Sequence, residues 1–129
     1  GQPEVNINFI PPVGATQALA RLLGRPAALR FLFNGELINA EQALTIGLVD
    51  EVIEAGELEI KVQQYGEFLA AKPPEALAAI RRAINVGGGM SFDEGLKLEA
   101  SLATELAGTV NFVEGVASFL AKRSPAWSR

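Results

Sequence analysis

Glu4 is the first residue of this chain that could carry acid–base chemistry, and it directly follows a proline. Pro3 disfavours a helical conformation for the residue before it, so we expect an extended opening. Apolar residues then alternate with polar ones, at Val5, Ile7 and Phe9. This alternation predicts a β-strand whose polar face carries Glu4. A carboxylate that a strand holds in a closed cleft has a raised pKa and can donate or accept a proton. The alternative is an ordinary solvated glutamate at the end of a strand.

The side chains that are missing from this sequence narrow the chemistry further. The sequence contains no histidine and no cysteine. Ser-His triads, histidine-metal sites, thiol chemistry and disulfides are therefore excluded within it, and we expect no metal site. Any proton transfer by these residues must use carboxylates, lysine, Tyr65 or backbone groups.

Length and composition indicate one folded domain, or one part of a domain. The chain has 129 residues, of which 49% are hydrophobic and 20% charged, a balance that disfavours disorder. Its net charge of −4 argues against a nucleic-acid partner. No apolar run approaches the roughly 20 residues of a membrane span, so we expect no membrane partner. The sequence shows no signal-peptide pattern at its start, and the expected location is cytoplasmic.

Periodic apolar residues and capping motifs predict a mostly helical chain after residue 15. Helices are predicted to begin near Thr16, Pro26, Asn39, Glu57, Pro74, Ser91 and Asn111. Asn39 with Gln42, and Ser91 with Glu94, have the spacing of capping boxes. Asn111 with Glu114 is interpreted as a third capped start.

The sequence predicts few strands that could position Glu4. Leu48 to Ile53 is a brief extended run and a candidate second strand. A strand without neighbours is not stable by itself, so the opening segment should pair with strands from elsewhere. This favours a fragment or one chain of a split protein. Pro125 is expected to end the ordered structure, with Trp127 outside it.

Short motifs follow one another along the chain, and each is weak when taken alone. They are G-Q-P-E at 1–4, I-P-x-x-G-x-T at 10–16, N-G-E at 34–36, A-K-P-P at 71–74, S-x-x-E-G at 91–95 and E-G-x-x-x-F-x-x-K-R at 114–123. In this order they resemble the crotonase family, the enoyl-CoA hydratases and isomerases. The resemblance covers essentially all 129 residues.

The resemblance implies an α/β crotonase-like fold, in which a spiral of β-strands is followed by a helical half. This chain, residues 1–129, is similar to the mostly helical C-terminal half, with one or two short strands. Residues 1–55 would hold the end of the spiral core and its helices, and residues 56–129 the helical C-terminal region. The N-terminal half, or a companion chain, would supply the backbone N–H donors for the thioester oxygen and a second glutamate.

The resemblance also implies a function. Glu4 matches a catalytic acid/base that moves a proton at the α-carbon of an enoyl-CoA, in lyases and isomerases of fatty acid metabolism. Coenzyme A would be part of the substrate, with no separate cofactor. Lys122 matches a lysine that reaches the coenzyme A nucleotide, and the alternative is a cation at a helix end. Members of this family form trimers and hexamers, so the resemblance implies a homo-oligomer.

The loop after Glu4 departs from the family pattern. Pro12 stands where a glycine lies near the reacting atoms, whereas Gly14 is kept. Proline has no N–H and fixes φ, so this substrate loop has one donor fewer. The change is consistent with a different acyl-CoA reaction, with lost activity or with tolerated variation. The alternative function is therefore a non-catalytic crotonase-like helical interaction module, or a divergent crotonase that acts on another acyl-CoA.

Overall fold

The computed structural model describes residues 1–128, and all regular secondary structure in this part of the chain is helical. A 3₁₀ helix spans Pro3–Ile7. The α-helices are α1 (Ala15–Leu23), α2 (Arg25–Asn34), α3 (Ala40–Thr45), α4 (Leu58–Ala70), α5 (Pro74–Gly87), α6 (Phe92–Ala107) and α7 (Val110–Leu120). Residues 1–58 form one compact unit, and the residues from 59 onward form a second. Within residues 1–128 no helix is long and apolar enough to cross a membrane.

Neither predicted strand is present among the described residues, so both strand predictions are wrong. At the opening, the Phe9 N–H donates to the Glu4 carbonyl at 3.0 Å, and the Asn8 N–H donates to the Val5 carbonyl. Because no strand lies beside this segment in residues 1–128, its backbone groups bond locally instead. Leu48 to Ile53 likewise forms an irregular bend, and the Leu48 N–H donates to the Ala43 carbonyl at the end of α3 at 2.8 Å.

The first unit is built on α1 and α2, which pack together, with the 3₁₀ helix against α2. Gly24 joins the two helices with φ of 75°, a backbone conformation that favours glycine. Helix α3 begins in the predicted capping box. The Asn39 side chain accepts from the Gln42 N–H, and the Gln42 side chain accepts in return from the Asn39 N–H. That prediction is confirmed.

The second unit is organised by the pair α5 and α6, on which α7 rests. The pair approaches closely where Gly87 faces Gly95, since a Cβ built on Gly87 would lie 3.8 Å from the Gly95 Cα. Helix α6 begins in the predicted capping box of Ser91 and Glu94, which is confirmed. The two hydrogen bonds from the Ser91 hydroxyl and N–H lower the pKa of Glu94.

The last helix begins at Val110, close to the predicted start, but the predicted cap of Asn111 with Glu114 is wrong. Thr109 caps α7 instead, and its hydroxyl accepts from the Phe112 N–H at 3.1 Å. Asn111 lies inside the helix and is buried, because its side chain bonds to residues that are distant in sequence. A cap needs its side chain free for the local backbone, and these distant contacts remove that freedom.

Candidate functional site

Glu4 lies in the first turn of the 3₁₀ helix. Its side chain is half-buried, and its Oε2 atom is fully buried without a hydrogen-bond partner among the described residues. Buried polar atoms are almost always paired in folded proteins, so a lone carboxylate oxygen calls for an explanation. A substrate proton, or a donor supplied from outside these residues, would satisfy it. The structure therefore gives Glu4 the exposure and the unmet bonding capacity that proton transfer requires.

Close packing fixes the segment that carries Glu4. The Asn6 side-chain amide donates to the Gly35 carbonyl at 3.3 Å. Gly35 has φ of +60°, and a Cβ built on it would lie 2.6 Å from the Val5 Cγ1. Gly1 is equally confined, since its Cβ would lie 2.7 Å from the Glu36 carbonyl oxygen. A side chain at either glycine would collide with these atoms, so the segment on both sides of Glu4 packs closely against residues 35–37.

The substrate loop is exposed and adopts an uncommon backbone. Val13 has φ of 62° and is fully exposed, and Gly14 has φ of 88°. The left-handed region is a clear outlier for a β-branched residue such as valine. Pro12 lies in the turn before them. The Gly14 carbonyl accepts from the N–H groups of Gln17 and Ala18, so Gly14 begins α1 without a side-chain cap.

An apolar cavity of about 320 Å³ joins the surroundings of Glu4 to those of the loop. Val5 and Phe9 line it from the side of Glu4, and Pro11 and Thr16 line it from the side of the loop. Helix α2 closes it with Leu29, Leu32 and Phe33. The structure thus brings the flanks of these two predicted sites to one cavity, whereas Lys122 belongs to the second unit.

Lys122 ends α7 in an unusual conformation that the sequence did not indicate. It is exposed and has φ of 50°, in the left-handed region. Its N–H donates to the Phe119 carbonyl at 3.2 Å, and the Arg123 N–H donates to the Ser118 carbonyl at 3.1 Å. This pair of bonds is the Schellman motif, in which the left-handed position is usually glycine.

The segment from 121 to 128, here called the C-terminal strap, folds back onto the second unit. Arg123 donates to both carboxylate oxygens of Glu114, at 2.6 and 2.8 Å. The Ala126 N–H donates to the same carboxylate at 2.7 Å. The Arg123 guanidinium, followed by the Ala126 N–H, lowers the pKa of Glu114 to about 2. Glu114 is therefore the anchor of the strap.

Two further contacts complete the strap. The buried Asn111 side chain accepts from the Ser128 N–H at 2.7 Å and donates to the Ser128 carbonyl at 2.9 Å and to Glu75 at 3.0 Å. The Trp127 indole N–H donates to the Ala71 carbonyl at 3.0 Å. The expectation that order ends at Pro125 is wrong. The sequence carries one signal of this network. It is an asparagine and a glutamate three residues apart on one helix face, followed by an aromatic residue.

The whole chain, residues 1–129, matches the family model described as enoyl-CoA hydratase/isomerase.

This chain belongs to the enoyl-CoA hydratase/isomerase family.

It is 34% identical to a probable mitochondrial enoyl-CoA hydratase 2 of Arabidopsis thaliana, over 99% of this chain and 42% of the relative. It is also 34% identical to the 2,3-dehydroadipyl-CoA hydratase of Escherichia coli K12, over 97% of this chain and 49% of the relative.

Solved structures of this family show the same fold. The crystal structure of an enoyl-CoA hydratase from Geobacillus kaustophilus HTA426 superposes with a TM-score of 0.89 at 35% identity. The match covers 98% of this chain and 48% of the other. The chain thus spans about half the length of these relatives and corresponds to the helical C-terminal half of the crotonase fold. The predicted family and fold class are confirmed, apart from the strands.

Proposed function

We propose that the complete protein acts on the double bond of an enoyl-CoA thioester, with Glu4 as its proton-transfer residue. The observation that supports this role is the buried Glu4 Oε2 atom, which has no partner in residues 1–128. Family membership supplies the reaction class, because the chain matches the enoyl-CoA hydratase/isomerase model along its whole length. The close packing of Gly35 against Val5 and Asn6 restrains the segment that carries Glu4.

In this proposal, Glu4 gives a proton to the α-carbon of the thioester or takes one from it. Backbone N–H donors from the N-terminal half would hold the thioester oxygen, where negative charge develops in the transition state. A hydratase needs an activated water as well, whereas an isomerase needs only the proton shuttle. Pro12 removes one N–H beside this chemistry, and losing a donor that could hold the water favours the reaction that needs no water, isomerisation.

We further propose that Lys122 contacts a phosphate of the coenzyme A nucleotide. Its side chain is exposed and carries a positive charge in a segment fixed by the C-terminal strap. An ammonium group on a flexible stem is a common partner of phosphate.

Exposed apolar residues support a proposal for the partners of this chain. Large apolar side chains remain at least 70% exposed in both units, namely Ile7, Val13, Phe33, Leu37, Phe92, Val110, Phe119 and Leu120. Apolar surface of this kind marks contact with other protein. We propose that an N-terminal half or a companion chain covers part of it and that the complete protein forms a trimer or hexamer. Sedimentation of the complete protein tests this, and a monomer would contradict it.

The experiment that tests the function is an assay of the complete protein on two substrates. A 2-enoyl-CoA with water reports hydration, and a 3-enoyl-CoA reports isomerisation. Turnover of either substrate supports the proposal, and the faster one identifies the reaction. A folded protein that turns over neither would be the non-catalytic interaction module instead.

A further inference from the structure

Lys122 occupies a backbone position at which lysine is a poor choice. Its φ of 50° places it in the left-handed region, at the residue of the Schellman motif where glycine is most common. The left-handed conformation is unfavourable for a residue with a Cβ. Residues held in such conformations persist where the surroundings over-determine them, and they cluster at functional sites. The unfavourable backbone conformation of Lys122 therefore indicates a functional role for its side chain.

The residues next to Lys122 supply the force that holds this conformation. Arg123 is joined to Glu114 by two parallel hydrogen bonds, and the Ala126 N–H occupies the same carboxylate. Fork-to-fork bonds between guanidinium and carboxylate fix direction as well as distance. The backbone of Lys122 is thus held between the end of α7 on one side and this clamp on the other.

We propose that Glu114 and Arg123 are positioning residues that hold Lys122 so that its ammonium group faces the anionic nucleotide of coenzyme A. This inference rests on the nucleotide contact proposed for Lys122. Glu114 would act on the ligand only through Arg123 and the backbone, and it would not contact the substrate itself. Fixing the backbone that carries the lysine limits the directions its side chain can take, which lowers the cost of ordering that side chain on binding.

Glu114→Gln distinguishes positioning from simple electrostatics. The substitution removes a negative charge close to an anion site, so charge alone predicts tighter binding of acyl-CoA. Loss of the clamp predicts the opposite, because Gln cannot accept both Arg123 bonds with the same strength. We expect KM for acyl-CoA to rise about 2- to 5-fold, no more than the loss expected for Lys122→Ala itself, with kcat unchanged.

A substrate without the nucleotide separates positioning from general damage to the fold, because general damage would raise KM for this substrate as well. For an enoyl thioester of pantetheine, KM should be the same in Glu114→Gln and wild type. Glu99→Gln is the matched control, since it removes the same charge from an exposed position on α6. Arg123→Lys is the second variant. It keeps the charge and loses the fork, so a rise in KM for acyl-CoA alone is again expected.

Substitution of Lys122 distinguishes the proposed nucleotide contact from the proposed positioning role. If Lys122→Ala leaves KM for acyl-CoA unchanged, the proposed nucleotide contact is wrong. If Lys122→Ala raises it while Glu114→Gln and Arg123→Lys do not, the contact stands and the positioning role is wrong. Lys122→Gly should melt a few degrees above Lys122→Ala, because glycine relieves the left-handed backbone. Equal melting temperatures would show that this backbone stores no strain.

Discussion

Gly35→Ala should move Glu4 without touching it. The new Cβ would lie 2.6 Å from the Val5 Cγ1, whereas ordinary contacts begin at 3.4 Å, so the Val5 side chain and the 3₁₀ helix that carries it must give way by about 0.8 Å. The substitution also forces alanine into a left-handed backbone, which costs about 1–2 kcal/mol. Overpacking adds about 1–3 kcal/mol. A misplacement near 1 Å can cost about 100-fold in rate, so we expect kcat to fall roughly 10- to 100-fold.

Gly47→Ala is the matched control, because Gly47 has φ of +76° and nothing within 4 Å of its Cβ position. It should lose only the left-handed cost of about 1–2 kcal/mol and keep its kcat. Denaturant unfolding measures the stabilities, and steady-state kinetics of the complete protein at a temperature where both variants are folded measures the rates. A Gly35→Ala protein with wild-type kcat, or with the stability of Gly47→Ala, would refute the anchoring of Glu4 through Gly35.

Three further predictions concern the helix caps and the strap. Ser91→Ala should cost about 1 kcal/mol of unfolding free energy through the lost capping box, whereas Ser101→Ala inside α6 should cost nothing; equal losses in urea unfolding would contradict this. Lys122→Ala should weaken coenzyme A binding about 2- to 5-fold at low salt and less at high salt in calorimetry, and a loss independent of salt would count against a charge contact. The pKa of Glu114 lies at about 2 in the folded chain and at 4.5 ordinarily, so the strap is fully stabilised above pH 4.5 and loses that stability as pH falls through 2. The fluorescence that Trp127 contributes, measured against Trp127→Phe, should change over this interval, and an identical titration in Glu114→Gln would contradict the assignment.

The sequence predicts the local parts of this fold well, because the residues that form them lie close together in the chain. A capping box such as Ser91 with Glu94 involves four consecutive residues, so its pattern is complete in the sequence. The alternation at Val5, Ile7 and Phe9 is not sufficient in the same way to predict a strand. A strand also requires a neighbouring strand, and the part of the chain that the structure describes provides none. Local 3₁₀ hydrogen bonds are what the same residues form without that neighbour.

The candidate site is predictable only in its residue types. Glu4 is identified as a carboxylate in a suggestive motif, but its unpaired oxygen depends on packing that no pattern encodes. Asn111 shows the same limit. It resembles a helix cap in sequence, yet it bonds to Glu75 and Ser128, which lie 36 and 17 residues away. The left-handed backbone of Lys122 likewise follows from the bonds of its neighbours rather than from its own type.

The central claim is that Glu4 transfers the proton, and Glu4→Gln tests it most directly because the substitution keeps the shape and removes the titrating group. In the complete protein, kcat on the better of the two enoyl-CoA substrates should fall about 10²–10⁴-fold, the usual contribution of one general acid or base. KM should change little, and the pH–rate profile should lose one limb. Glu36→Gln, an exposed glutamate beside Gly35, is the control and should retain the wild-type rate. A Glu4→Gln protein that retains full rate would contradict the account.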